Sequence, residues 1–213
     1  MPQATNKTLL YITDPMCSWC WGFSPVMEQI IETYRDHLPL QILVGGLRPG
    51  NIERFDDSRR DYILGHWHTV HERTGQPFDF TFQMGPDFTY NTEPASRALL
   101  IVRDLSPSQT FPFLKVLQKA FYVYNQDVTK EETLVKLASL HVDEPHQFLE
   151  RFHSTHTKQE VWKEFDFCRQ LGVEGFPTLL GKEGERLTPI SHGYQPIEIL
   201  APIIDSWLNP QVA

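Results

Sequence analysis

The stretch TLLYITDPMCSWC, running from Thr8 to Cys20, decides the fold. Its first six residues are β-branched or apolar, the composition of a short buried strand, and Asp14-Pro15 ends the run. Two cysteines follow, Cys17 and Cys20, and a helical pattern comes directly after them. Phe23, Met27, Ile30, Ile31, Tyr34 and Leu38 recur at three- and four-residue steps through Trp21 to His37, with Pro25 expected to kink the helix. Leu38 to Val44 reads as a second buried strand closed by Gly45 and Gly46. Two buried strands joined by a helix imply a parallel, right-handed βαβ crossover.

The cysteine pair therefore sits where a strand ends and a helix begins. Free backbone N–H groups and the positive end of the helix dipole favour an anion there, so the position predicts a thiolate at Cys17 with a depressed pKa. Cys20 lies one turn on, within reach of a mixed disulfide between Cys17 and a substrate. Zinc is the structural alternative. A tetrahedral site wants four ligands, however, and the third cysteine, Cys168, has no CxxC partner.

Further along, Arg48 to about Glu150 reads as helix after helix. The candidates are Ser58–Arg73, Glu93–Leu105, Phe113–Tyr124, Thr129–His141 and Pro145–Phe152, with Gln76–Asn91 a long aromatic-rich loop. Thr129 and Glu132 have the spacing of a capping box. A helix over Gln159–Leu171 stopped by Gly172, two strands at Val173–Leu180 and Arg186–His192 around a turn at Lys182–Glu185, and a helix at Pro196–Leu208 complete the chain. In the last helix Ile197, Leu200, Ile203, Ile204 and Trp207 are expected inward. The sum is an α/β sheet, residues 1–50 and 157–213, interrupted by an all-helical insertion, residues 51–156.

Composition narrows the function. The 213 residues are 40% hydrophobic, 22% charged and 12% aromatic, a globular profile. A net charge of −8 opposes attraction to nucleic acid or anionic lipid. The longest apolar stretches, Leu40–Leu47 and Phe176–Leu180, fall far short of the ~20 residues that span a bilayer. The first fourteen residues hold one Lys and no extended apolar region, which does not read as a secretory leader, so a cytoplasmic location is expected.

A second motif is GVEGFPTLL, Gly172 to Leu180. Pro177 opens an apolar run, where the residues alone favour an ordinary trans proline at a strand edge; a cis Phe176-Pro177 bond beside the cysteines would instead leave backbone groups free to pair with an extended substrate. CSWC after TLLYITDPM, Pro25 in the first helix, the helical block and GVEGFPTLL together resemble the DsbA-like branch of the thioredoxin superfamily, most closely its FrnE-like members, from about Thr8 to Leu208. The resemblance implies a thioredoxin fold with a helical domain inserted, Cys17 as attacking thiol, Cys20 as resolving thiol, and Pro177 as a cis proline against the CxxC. Phe176 would then set substrate contact and potential. Ser18-Trp19 replaces the Pro-His dipeptide of the periplasmic relatives and Phe176 the usual smaller residue, and both argue against a strongly oxidising pair.

The expectation is thus a cytosolic thiol–disulfide oxidoreductase acting on protein or peptide disulfides in the reductase or isomerase direction. It needs no metal or resident cofactor; glutathione or a thioredoxin-type reductant would recycle it, and glutathione is admitted as a co-substrate. The same branch holds kappa-class glutathione transferases and 2-hydroxychromene-2-carboxylate isomerases, which usually carry Ser at the position of Cys17; a glutathione-dependent isomerase or transferase is the enzyme alternative. A redox-gated, chaperone-like binding module is the other. Trp19 and Trp21 flank the cysteines and are candidates to line an apolar substrate groove. His66, His68 and His71 read as a solvated helix face, and Cys168 as a small buried hydrophobe.

Overall fold

A computed structural model describes residues 6–210 of the chain. Residues 1–5 and 211–213, inside the bounds expected for the sheet domain, lie outside the described residues, as does the start of the segment read as lacking a secretory leader.

Strand β1 (Lys7–Thr13) is the centre of the sheet. It pairs in parallel with β2 (Leu40–Val44) on one side, Leu9 to Thr13 against Leu40 to Val44, and antiparallel with β3 (Thr178–Glu183) on the other. Strand β4 (Arg186–His192) forms the outer edge, giving the order β2-β1-β3-β4. A central strand is covered on both faces, which is why β1 is almost wholly apolar. Lys7 marks its first residue. It is buried, and its ammonium group donates to the last carbonyls of the C-terminal helix, Trp207 at 2.8 Å and Leu208 at 3.1 Å.

Helix α1 (Ser18–Tyr34) joins β1 to β2 and contains Pro25, as expected. Between β2 and the helix α7 (Thr155–Gln170) come α2 (Asp57–Thr74), α3 (Glu93–Leu105), a single 3-10 turn (Pro107–Gln109), α4 (Thr110–Tyr122), α5 (Glu131–Ala138) and α6 (Pro145–His153). The final helix α8 (Ile197–Leu208) follows β4. This is the α/β sheet with an all-helical insertion that the sequence implied. The larger of its two apolar clusters runs from β1 and α1 through Trp67, Phe121 and Phe148 of the inserted helices, and a smaller one, Leu10, Ile12, Leu43, Cys168, Val173 and Leu180, gathers the alternate residues of β1.

Where helix meets sheet, Arg103 of α3 donates to the Ile42 carbonyl at 2.8 Å and to both oxygens of Glu164 on α7, at 2.8 and 2.7 Å. Glu164 also accepts the Val44 N–H at 2.7 Å. This fork satisfies an edge N–H of β2 and ties three elements together.

Several local expectations change. Thr129 does not cap α5: its hydroxyl and N–H both turn to Asp127, and the N-cap residue is Lys130. An Asx turn has outcompeted the capping box. Strand β3 begins at Thr178 rather than Val173, because the Val173 N–H satisfies the Cys168 carbonyl at the end of α7 and Pro177 has no N–H to give. Lys182 and Glu183, expected in the turn, pair with Thr8 and Lys7 instead, leaving Gly184 at positive φ to turn the chain. In α8, Leu200 and Ile204 are buried but Ile203 is 39% exposed, so it lies off the inward face. Helix α7 starts four residues early because Ser154 caps it, accepting from His156.

Candidate active site

The site begins with how Asp14 turns the chain out of β1. Its backbone carbonyl accepts the Cys17 N–H at 3.1 Å, and its side chain accepts the Met16 N–H at 2.8 Å. The other carboxylate oxygen accepts the Leu47 N–H at 2.7 Å, so one buried Asp fastens the cysteine turn to the loop after β2. Burial pushes its pKa up to about 6, while the Leu47 and Met16 N–H groups and the Thr92 side chain pull the other way.

That turn places Cys17 as the N-cap of α1, three residues earlier than the apolar periodicity suggested. Its sulfur accepts the Cys20 N–H at 3.4 Å, the usual capping bond from the third helical residue. The sulfur also donates to the Phe176 carbonyl at 3.6 Å, across to the loop before β3. Both cysteines are reduced and buried, Cys17 with 5% of its surface exposed.

The expected depression of the Cys17 pKa is not met. Burial pushes the thiol up, Cys20 through its hydrogen bond and its charge and then the Asp14 carboxylate act in the same direction, and the Cys20 N–H opposes them. One aligned N–H at a helix terminus is outweighed by loss of water.

The Phe176-Pro177 peptide is cis, with Pro177 buried and Phe176 half-buried. The Phe176 ring fills the space a side chain at position 45 would need: a Cβ on Gly45 would come within 1.9 Å of its Cε1. Only glycine fits there. On the other side of Phe176 a cleft of about 330 Å³ is lined by Trp19, Thr69, Arg73, Phe176, His192 and Tyr194. Trp19 and Tyr194 pack ring to ring at 6.2 Å. Thr69 and Arg73 belong to α2, so the insertion supplies one wall.

Trp21 is not part of that cleft, which corrects the groove assigned to it. It is 5% exposed, stacks on Tyr122, and its indole N–H donates to the Pro77 carbonyl at 3.0 Å. The aromatic loop from Gln76 to Asn91 thus braces the start of α1. Gln76 donates to the Trp21 carbonyl and the Ser24 hydroxyl, and Tyr90 donates to the Met16 carbonyl at 2.6 Å.

Sequence reading missed Asp14, Tyr11 and Tyr90. Tyr11 is fully buried; its hydroxyl accepts from Thr13 at 3.2 Å, its ring lies 6.0 Å from that of Phe23 on α1, and burial first, then the Cys20 charge, hold the phenol well above its ordinary range. The available signal was a lone phenol in an otherwise aliphatic strand.

The remaining candidates take other partners. His68 stacks on Phe80 at 4.1 Å, His71 contacts the Gln76 carbonyl at 2.8 Å, and His66 packs against Tyr62. Cys168 is buried, donates to the Val44 carbonyl at 3.5 Å, and is pushed up to about 12 by burial. Among the described residues no three His, Cys, Asp or Glu side chains converge as a metal site. No helix there is long and apolar enough to cross a membrane. A cavity of about 500 Å³ around Lys7, Glu183 and Trp207 lies at the opposite end of β1 from the cysteines.

A βαβ unit, an antiparallel hairpin and two thiols at the first helix N-terminus define a thiol–disulfide oxidoreductase of thioredoxin fold. The chain belongs to the DSBA-like thioredoxin domain family, whose pattern matches residues 8–205. A candidate protein disulfide isomerase from Nitrosomonas europaea is 40% identical and superposes with a TM-score of 0.88, covering 96% of this chain and 98% of that one. The cytosolic disulfide reductase DsbM of Pseudomonas aeruginosa, also solved with GSH, shares the fold at 24% identity and a TM-score of 0.74, with the same coverage. The ClpXP adapter protein SpxH of Halalkalibacterium halodurans is 25% identical over 97% of this chain and 70% of its own.

Proposed function

We propose that the protein is a cytoplasmic dithiol exchanger that reduces or isomerises protein or peptide disulfides, with Cys17 attacking and Cys20 resolving. The carrying observation is the Cys17 sulfur itself, capped by the Cys20 N–H and set 3.6 Å from the Phe176 carbonyl. A substrate chain lying along Phe176 and Pro177 would bring its disulfide to that sulfur, and Trp19 would form the neighbouring apolar wall. Attack on the substrate disulfide makes the mixed disulfide Cys17–S–S–R and releases the other substrate sulfur as thiol. Cys20 then displaces R–SH, and the pair is left as a disulfide that an external thiol must reduce.

The raised Cys17 pKa supports the reducing direction, since a strongly oxidising pair needs a stabilised thiolate. The relatives described as a disulfide isomerase and as a cytosolic disulfide reductase point the same way, and the latter's complex with GSH favours glutathione as the recycling thiol. A thioredoxin-type reductant is the alternative donor.

Insulin reduction with glutathione tests the reading. Turnover is expected from the wild type and is lost in Cys17→Ser. Conjugation of glutathione to an electrophile with full tolerance of Cys20→Ser would favour a transferase instead. A second reading, a binding module, is favoured by the similarity to the adapter protein SpxH; stoichiometric capture of a partner with no turnover would support it.

A further inference from the structure

The cleft beside Cys17 has walls of two different chemistries. Phe176, whose carbonyl faces the Cys17 sulfur at 3.6 Å, is part of its lining, so a substrate held at the thiol adjoins the cleft directly. Trp19 and Tyr194, half-buried and ring to ring at 6.2 Å, supply an apolar wall; Thr69 and Arg73 of α2 supply another. The volume, about 330 Å³, is at the lower end for a small-molecule pocket, room for a side chain or two rather than a whole peptide.

Thr69 and Arg73 are four residues apart and share one face of α2. The Thr69 hydroxyl spends its proton inside the helix, on the Gly65 carbonyl at 3.0 Å. Arg73 is different. Of the three arginines of α2, Arg59 donates to Glu53 at 2.5 Å and Arg60 to the Thr81 carbonyl at 3.2 Å, whereas Arg73, exposed, makes no hydrogen bond or ion pair among the described residues. No Asp or Glu lines the cleft, and His192 is its only other group able to carry positive charge. A guanidinium without a carboxylate therefore stands beside apolar rings in a chain whose net charge is −8. Its rigid fork of donors matches a carboxylate bidentately.

We propose that Arg73 is a specificity-determining residue of the exchange site: its guanidinium receives a carboxylate carried close to the substrate disulfide. The inference rests on the dithiol-exchange reading and names its substrate class, an acidic disulfide or thiol. A methylene stem against Trp19 and Tyr194 with a carboxylate at its end uses both kinds of wall. Two sources carry that chemistry, a Glu-bearing peptide and glutathione. The sign of the effect follows from net charge. Away from the cleft a chain of −8 repels an acidic substrate, so the preference exists only through Arg73 and reverses when the charge at that position reverses.

Single-turnover kinetics below saturation test it. Reduced protein is mixed with peptide disulfides identical except for Glu, Gln or Lys beside the half-cystine; oxidised protein is mixed separately with glutathione or with uncharged dithiothreitol. The wild type is expected to reduce the Glu peptide about 3- to 10-fold faster than the Gln peptide, the value of a bidentate ion pair at a partly exposed site, with the Lys peptide slowest. That ratio shrinks as salt rises from about 0.05 to about 0.5 M. Arg73→Gln brings it to about one, and Arg73→Glu puts the Lys peptide first. Arg73→Lys keeps the charge in the last turn of α2 without the fork, and retains part of the preference. A preference lost among the peptides alone assigns the site to acidic chains; slowing of glutathione alone, with dithiothreitol unaffected, assigns it to the glutathione carboxylates. An Arg73→Gln protein that changes neither comparison, or that slows all peptides and both thiols alike, would overturn the role. If the reduced wild type reacts with none of the peptides, the exchange reading falls and this inference with it; if it reacts and neither comparison senses position 73, only Arg73 is displaced.

Discussion

The Cys17 sulfur donates to the carbonyl oxygen of Phe176 at 3.6 Å, joining two short motifs that lie 159 residues apart in the chain. The contact exists because β1 and β3 are neighbours in the sheet, so the turn leaving one and the loop entering the other meet at the same edge. The Cys17 thiol is thereby set against a strip of backbone, and the intervening inserted helices form a wall of the adjoining cleft.

Cys20→Ser is expected to accumulate a covalent Cys17–substrate adduct that mass spectrometry detects intact, while Cys17→Ser forms none. An adduct through Cys20 in the Cys17→Ser protein would reverse the two roles. The basis is exposure: Cys17 keeps 5% of its surface and Cys20 none.

Gly45→Ala should disturb the site without touching a thiol. Its new methyl would overlap the Phe176 ring, at 1.9 Å, so the ring must leave its place. Overpacking of this kind costs about 1–3 kcal/mol, and a loss of exchange activity of about tenfold should accompany it. Calorimetry and peptide-disulfide turnover would check both; an unchanged thermal midpoint would show that the loop yields freely.

Trp19→Ala opens the cleft wall that packs on Tyr194. The KM for a peptide disulfide is expected to rise severalfold, whereas reaction with a small disulfide that does not reach the cleft stays near wild type. Equal effects on both substrates would remove Trp19 from substrate contact.

Asp14 gives a pH dependence with a definite sign. Its folded-state pKa, about 6, lies above its ordinary 3.8, so the folded state prefers the protonated acid. The stability this contributes is complete below about pH 4 and is lost as pH rises through 6. Each pH unit between the two values is worth about 1.4 kcal/mol, so the loss is on the order of 3 kcal/mol. Asp14→Asn lacks this titration; the wild type's stability relative to Asp14→Asn, read from urea unfolding, should therefore fall across pH 4 to 6. A difference that stays flat with pH would contradict it.

Glu164→Gln should weaken the junction of sheet and helices rather than the chemistry. It removes the charge that Arg103 faces at 2.7 Å in a largely buried setting. Losing its close carboxylate leaves the guanidinium only the more distant Asp104, at 3.8 Å, which should lower the unfolding free energy by about 1–3 kcal/mol, with exchange per folded molecule unchanged. A variant as stable as the wild type would show that Arg103 finds enough in the Ile42 carbonyl and the Asp104 carboxylate.

Much of this was legible in one dimension. The β1–α1–β2 unit, the helices between β2 and β3, and the cysteines at a strand-to-helix junction all follow from local apolar periodicity and from Pro and Gly as stops, which are properties of neighbouring residues. The burial of Cys168 was also anticipated, whereas the cis Phe176-Pro177 bond came from the family resemblance, the residues alone favouring trans. The direction of the Cys17 pKa was not, because it depends on how much water the fold removes, and neither periodicity nor the helix dipole reports that. Trp21 was misplaced for the same reason: it and Trp19 are two residues apart, yet helical geometry turns one toward the cleft and the other into the core.

By itself the sequence determined the element order, the place of the cysteine pair and the two motifs, since each is written in contiguous residues. Only the tertiary structure decided that Phe176 meets Cys17, that Gly45 makes room for Phe176, that Asp14 clamps two loops and that Tyr11 is buried against Phe23 of α1. Three of these join segments distant in the chain and all depend on burial, and both are set by sheet order and core packing together rather than by any stretch alone.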